Sequence, residues 1–294
     1  MSRRPEELAL PSPVGALLGS AVVEHPGVGD CRVVSGGGLV AKVGPAPLVD
    51  RELALLGASL PLSVPTLVDA GPGWLVTRAE ADDDGPWSED DVHGALADLA
   101  RLHDAFEDAV PDGLGKVLRR PFTPEGADLL LEPTRRLGFP LPAPLARLLD
   151  DPTVLVGAAG SEPPTLLHGD PWPGNVLRPA AGRRVWVDWE LASVGPAAAD
   201  LASWLDQAPW HAAPAPVFGG SERGYRDDAG IYLAARSRPV ERRAFDQARD
   251  AATVLWFLAY DVAHLAELPG TGGRRGSETV LTKALIAAEG LLSS

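Results

Sequence analysis

The stretch "LLHGDPWPGNVL", residues 166–177, reads as a buried strand that breaks off at His168, Gly169 and Asp170 and resumes after Asn175. A strand serving only as core gains nothing from a carboxylate and an amide set five residues apart. After a Gly-containing turn the chain continues as "RRVWVDWELAS", residues 183–193, where Asp188 leaves a second apolar run. The runs "TLLHG" and "RVWVDWE" read as a β-hairpin or a pair of adjacent strands, with their carboxylates at the strand ends. Asp170, Asn175 and Asp188 are therefore expected to converge on one cleft.

Two carboxylates and an amide can bind a divalent metal, act as a general base, or form the acid and base of a glycosidase. Glycoside hydrolysis has no use for an Asn at fixed spacing from the first Asp. Mg²⁺ does, because it prefers hard oxygen ligands and shares them with phosphate oxygens. That argument favours phosphoryl transfer.

The rest of the composition narrows the partners. The chain has 294 residues, with Lys+Arg 26 against Asp+Glu 40 and a formal net charge of −14. Such a field repels nucleic acid and anionic membranes and attracts cationic ligands. Cys31 is the single cysteine, so no intramolecular disulfide can form, and no Cys/His spacing suggests a zinc site. The N-terminal "MSRRPEELALPSPVGALLGSAVV" places two arginines before an apolar run. Glu6, Glu7, Pro11 and Pro13 interrupt it, and its apolar part reads as merging into a strand, against an export signal. No window supports a membrane span. A cytoplasmic protein is expected, as a monomer or a homodimer, with a small-molecule partner.

Two styles of sequence divide the chain. Up to about residue 80, the β-like runs "SAVVEH", "CRVVSG", "GLVAKVG" and "GWLVTRA" alternate with turns, interrupted by one helical segment, "LVDRELALLGASL". From residue 88 helices dominate, opening with "SEDDVHGALADLARLHDAF", where Ser88 and Asp91 suit a capping box. Further helices are expected in "LPAPLARLLDD", "GPAAADLASWLDQ", "RDDAGIYLAARS" and "VERRAFDQARDAATVLWFLAYDVAHLAEL". The acidic stretch "EADDDGPWSEDD" is the seam. The expected architecture is α+β and two-lobed: residues 1–80 form a small antiparallel lobe with one helix, and residues 81–294 a larger, mainly helical lobe.

Protein kinases use an H-R-D-x-x-x-x-N loop followed by a second Asp, with a Lys on an upstream strand and a Glu on the next helix. Here the loop reads H-G-D-P-W-P-G-N, with the Asp-to-Asn interval unchanged. The pattern "LLHGDPWPGNVL … VWVDWELASVGPAAADLASWL" resembles the aminoglycoside phosphotransferase and choline kinase-like family, relatives of protein kinases. The resemblance extends more loosely to "LVAKV" and to "ADLARLHDAF", where the family commonly has a helix ending in Leu-His.

The resemblance implies a protein kinase-like fold and ATP (or GTP) as phosphoryl donor with Mg²⁺. It implies that Asp170 is the base or orienter of the attacking hydroxyl and that Asn175 and Asp188 hold Mg²⁺. It gives Lys42 the nucleotide phosphates and Glu52 an ion pair with that lysine. His168 resembles the family's loop histidine, whose expected part is to brace the loop through backbone hydrogen bonds. Asp200 is either a brace of the same loop or an ordinary first-turn carboxylate. Gly27 and Gly29 in "PGVGDCRV" let backbone N–H groups approach phosphate, although Arg32 departs from G-x-G-x-x-G. Trp172 and Trp189 flank the loop acids and either line the acceptor pocket or pack in the core. Asp261 and His264, one turn apart on the last long helix read in the sequence, either reach the acceptor or lie on a helix surface.

The expected activity is phosphorylation of a small-molecule hydroxyl, most directly an aminoglycoside or another antibiotic or natural product, given the acidic balance. A kinase of a small metabolite of choline, sugar or amino-alcohol type is the alternative, as is a catalytically silent nucleotide-binding protein of the same fold.

Overall fold

The computed structural model describes residues 2–3, 9–19, 21–25, 30–82, 85, 87–180, 183–210, 222–267 and 274–293. The chain packs as two units. The first comprises Met1–Asp84, Pro111–Leu118 and Pro173–Ala192; the second comprises Gly85–Val110, Arg119–Trp172 and Ser193–Ser294.

In the first unit, β1 (Ser2–Arg3), α1 (Ser12–Leu18), β2 (Val22–His25), β3 (Arg32–Gly36) and β4 (Leu39–Val43) precede α2 (Ala46–Leu56). Strands β5 (Leu67–Gly71) and β6 (Trp74–Arg78) follow. They form an antiparallel sheet in the order β1-β2-β3-β4-β6-β5. Alternation along β4 sends Ala41 to one face and Lys42 to the other. On the Ala41 face lie Val14, Leu18, Val34 and Val76. The other face holds Leu75, the register partner of Lys42, packed with Val49 of α2. Lys42 is thereby aimed at the helix that carries Glu52.

The helix α1 differs from the expected strand-like reading of the N-terminal apolar run. Proline is tolerated in the first helical turn, where its missing N–H leaves no bond unmade, so Pro13 starts this helix instead of breaking it. Val14 and Leu18, one turn apart, are fully buried.

The second unit begins with α3 (Glu89–Phe106), closed at its start by the reciprocal Ser88–Asp91 capping box. The short α4 (Asp112–Gly115) belongs to the first unit. Helices α5 (Pro124–Leu137), α6 (Ala143–Asp150) and α7 (Thr153–Ala159) lead to β7 (Pro164–Leu167). Two further strands, β8 (Val176–Ala180) and β9 (Arg183–Trp186), pair with each other in the first unit. The chain then returns to the second unit with β10 (Ser193–Pro196), α8 (Ala198–Trp210), α9 (Glu222–Ala235) and α10 (Arg242–Trp256). It ends with α11 (Val262–Glu267) and α12 (Arg274–Ser293). The core of this unit gathers Leu131 of α5, Leu145 and Leu148 of α6, Val254 of α10, Val280 of α12, and Leu258 from the segment that follows α10.

Two expectations are corrected here. "TLLHG" and "RVWVDWE" do not pair with each other: β7 pairs with β10, and β9 pairs with β8. β9 finds its partner β8 across a short turn, whereas β7 pairs with β10 across the intervening β8 and β9, each pair within its own unit. The helix expected to run unbroken through 240–268 contains a π-helical stretch, Phe257–Asp261. The Thr134 hydroxyl donates to the Leu258 carbonyl at 2.5 Å, the kind of side-chain intrusion that opens a helical ladder.

Candidate active site

In the first unit the Lys42 ammonium lies 2.8 Å from Glu52 Oε2 and 2.8 Å from Glu190 Oε2, and is also paired with Asp188 Oδ1. Lys42 and Glu52 are buried, while the Asp188 side chain is 42% exposed. Burial alone would lower the lysine pKa. The carboxylates of Glu52, Asp188 and Glu190 outweigh it and hold the ammonium well above the usual lysine range. One cation faces three anions, an excess of negative charge in a largely desolvated place. Burial, reinforced by the Glu190 carboxylate, pushes the neighbouring Cys31 thiol up to about 12, so it stays protonated and unreactive.

The backbone explains how two acids of one short segment reach the same lysine. Asp188 has φ +64°, a left-handed conformation that a non-glycine residue adopts only under constraint. A 3₁₀ turn follows at Trp189–Leu191. Arg51 of α2 fixes that turn, donating to the Glu190 carbonyl and, at 3.2 Å, to the Val117 carbonyl. Trp189 is fully buried, and its indole N–H donates to the Trp186 carbonyl at 3.0 Å. It is a core residue.

Asn175 closes the other side of the β8–β9 pair. Its carbonyl accepts the Val187 N–H at 3.0 Å, next to Asp188, so both sequence-read metal ligands sit at one end of this hairpin. An amide oxygen and a carboxylate are hard donors. Mg²⁺ is commonly held by one or two carboxylates together with phosphate oxygens and water, without a complete protein cage. Among the described residues no three His, Cys, Asp or Glu side chains are grouped to hold a metal by themselves. The donor set with its surplus negative charge fits an ion shared with phosphates.

In the second unit β7 ends at Leu167 and the loop begins. The Asp200 carboxylate, 1% exposed, accepts the His168 N–H at 2.8 Å and the Gly169 N–H at 2.9 Å. Gly169 has φ +89°, a conformation that suits glycine and turns the chain into Asp170. His168 is buried, and its Nδ1 lies 3.4 Å from the Asp170 N–H, a bond inside the loop. His103, fully buried near the end of α3, places Nε2 3.1 Å from Asp200 Oδ2. Of the two readings of Asp200, the bonds are those of a loop brace. Trp172 is half-buried, as is Asp261 at the end of the π-helical stretch. Gly27 and Gly29 lie outside the described residues, as does the side chain of His264.

Sequence reasoning missed Glu190 and Arg51. Glu190 had a weak signal in "DWE", which repeats an acid two residues on, but it is the left-handed Asp188 and the 3₁₀ turn, not a strand, that bring both acids to Lys42. Arg51 carried no signal, since its partners are backbone carbonyls far along the chain.

Behind Asp200, Glu162 accepts the Ala198 N–H at 3.0 Å, and Arg236 stands 4.0 Å from its other oxygen. Burial pushes this carboxyl up to about 7, against the pull of the amide and Arg236, with Glu107 adding to the rise. A carboxyl raised in the folded state favours folding when protonated. That contribution is complete below about pH 4.5 and is lost as pH rises through about 7. Glu162→Gln keeps a neutral acceptor for Ala198, so its stability relative to the native chain should grow between pH 5 and pH 8. The growth should be on the order of 2–3 kcal/mol by urea denaturation, and a constant difference across that range would contradict this account.

Comparison with known proteins places these features in context. Residues 39–235 match the model of a family described as "Phosphotransferase enzyme family". A search of curated proteins finds no match. Among solved structures, a choline/ethanolamine kinase family protein from Mesorhizobium loti is 18% identical with a TM-score of 0.61, covering 97% of this chain and 93% of that one. Aminoglycoside phosphotransferase APH(2'')-Ib, bound to ADP, is 15% identical with a TM-score of 0.59, covering 91% and 94%. Choline kinase LicA from Streptococcus pneumoniae is 17% identical with a TM-score of 0.57, covering 98% and 99%. These structures share the two-lobed kinase-like fold.

Proposed function

The chain belongs to the phosphotransferase enzyme family, and from that premise we propose that it transfers the terminal phosphoryl group of ATP or GTP to a hydroxyl of a small molecule. The observation that carries this reading is the buried Lys42, paired with Glu52 of α2 and with Asp188. An amine placed for nucleotide phosphates and held by a helix glutamate is what kinase-type phosphoryl transfer requires.

Each residue then has a chemical part. Lys42 contacts the donor phosphates, and Glu52 fixes its ammonium. Asn175 and Asp188 hold Mg²⁺, which when bound neutralises the phosphate charge. Asp170 accepts the proton of the acceptor hydroxyl as its oxygen bonds to the terminal phosphorus and the bond to the bridging oxygen breaks, releasing the nucleoside diphosphate. His168 keeps the loop in shape through the Asp170 N–H.

The net charge of −14 supports a cationic acceptor, of which an aminoglycoside is the leading class. Choline, small sugars, and macrolide or nucleoside antibiotics are the alternatives to test beside it. The experiment is a coupled ADP- and GDP-release screen over these acceptors with Mg²⁺, alongside melting curves. Mg-ATP or Mg-GTP should raise the melting temperature, and at least one acceptor should turn over. No thermal shift with either nucleotide would overturn the phosphotransferase reading. A shift without turnover across the panel would favour a nucleotide-binding protein without catalysis.

A further inference from the structure

The second unit contains a buried polar chain that the proposed reaction does not use directly. It starts at Arg236, just beyond the end of α9, whose guanidinium is 2% exposed. Arg236 donates to Asp104 Oδ1 at 2.5 Å and to Glu107 Oε2 at 2.5 Å, both near the end of α3. Its third contact is different in kind: it donates to the Tyr232 hydroxyl at 3.1 Å. Beyond that, Tyr232 Oη is 2.6 Å from His103 Nδ1, and His103 Nε2 is 3.1 Å from Asp200.

The donors and acceptors fix a direction along this chain. A guanidinium has only donors, so the Tyr232 oxygen must accept from Arg236. The phenol hydrogen is then free to point at His103 Nδ1, which accepts it. The imidazole proton therefore lies on Nε2 and is donated to Asp200 Oδ2. The same Asp200 oxygen accepts the His168 amide, and its other oxygen accepts the Gly169 amide. Four side chains thus lead from Arg236 to the two peptide groups that precede Asp170. Arg236 reaches Asp200 by a second route as well, through Glu162, which caps Ala198 two residues before Asp200.

We propose that Tyr232 and Arg236 are positioning residues for the loop carrying Asp170, fixing the orientation of the His103 ring and through it the Asp200 carboxylate. This rests on the phosphotransfer reading for its kinetic consequence but not for its structural one. Without the phenol hydroxyl, the buried Nδ1 is left without its donor and the ring loses one of the two bonds that fix its rotation. The Nε2–H bond to Asp200 then loosens, and with it the hold of that carboxylate on the loop amides. A tether between α9 and α3 alone would need none of this, since apolar packing of similar volume serves that purpose as well as a buried charge. The Tyr232 ring already supplies such packing, stacked on Phe245 at 5.8 Å and edge-on to His103 at 5.7 Å.

The test is Tyr232→Phe, which keeps the ring and deletes only the hydroxyl, with Arg236→Lys as a second variant that keeps the charge but loses the fixed fork. Hydrogen exchange of the His168 and Gly169 amides should speed up about tenfold, the loss of roughly one hydrogen bond, while core amides elsewhere in the unit keep their rates. With Mg-ATP as donor and water as acceptor, kcat should fall about tenfold while the Kd for Mg-ATP stays within about twofold. Native exchange at these two amides together with native kcat would overturn the proposal, and so would faster exchange spread evenly over the whole unit. A native protein that neither binds nor hydrolyses Mg-ATP or Mg-GTP would instead overturn the phosphotransfer reading, and the exchange measurement would still decide the relay.

Discussion

Asp170→Asn is expected to lower phosphoryl-transfer turnover by about 10²–10⁴-fold, the usual contribution of a positioned general base, while the Kd for Mg-ATP changes by less than about twofold. Asparagine matches aspartate in shape but cannot take the hydroxyl proton. The substitution leaves the loop's main-chain bonds in place. The His168 and Gly169 amides are bound by Asp200, and the Asp170 N–H is directed at His168 Nδ1. None of these bonds uses the Asp170 side chain. The measurement is single-turnover transfer to whichever acceptor the screen returns, beside a nucleotide titration by fluorescence or calorimetry. Turnover within tenfold of native would remove Asp170 from the role of base, and a parallel collapse of nucleotide affinity would show that the loop had moved.

The second large effect belongs to Lys42. Lys42→Ala should abolish the thermal shift given by Mg-ATP and also destabilise the protein by about 3–5 kcal/mol, because Glu52 and Glu190 stay buried with no counter-ion. The pH dependence separates this from simple loss of packing. In the native chain the lysine pKa is raised, so its contribution holds from low pH to above the usual lysine range. In the variant, burial holds the Glu52 carboxyl above its unfolded value with no ammonium beside it to oppose the rise. Protonation then relieves the strain, and that relief fades as pH rises. The gap between native and variant should thus be smaller at pH 5 than at pH 8, read by urea denaturation at both. A gap independent of pH would mean that the lysine stem, and not its charge, carries the effect.

What could be read in the sequence follows from the range of each interaction. The capping box at Ser88 and Asp91 spans three residues, and the Asp-to-Asn interval of the loop spans five, so both stand in the chain itself. Lys42 and Glu52 are ten residues apart, joined by a strand end and a helix start that local patterns already indicate. The relay from Arg236 is different. Its links to Asp104 and Glu107 cross 132 and 129 residues, and nothing near "YLAARS" marks Arg236 as buried. Glu162 likewise reads as one more surface acid until Ala198 is found against it. The β7–β10 pairing escaped notice because β8 and β9 lie between them in sequence, and a local reading joins neighbours. Trp189 shows the limit in the other direction, since a tryptophan beside a loop acid looks equally apt for stacking a ligand and for filling a core.

The anchoring of α2 bears on how such a protein would be governed. Arg51 and Glu52 are consecutive, and each is committed: one to the carbonyls of Val117 and Glu190, the other to Lys42. Swinging this helix outward would take the Arg51 guanidinium from two carbonyls and the Glu52 carboxylate from Lys42, at the cost of several buried polar bonds. A second position for the helix would cost the bonds of both residues. Enzymes that are switched on and off depend on such a second position. Under the proposed function, Lys42 would then meet the nucleotide phosphates already held by its helix glutamate, with no helix movement required first.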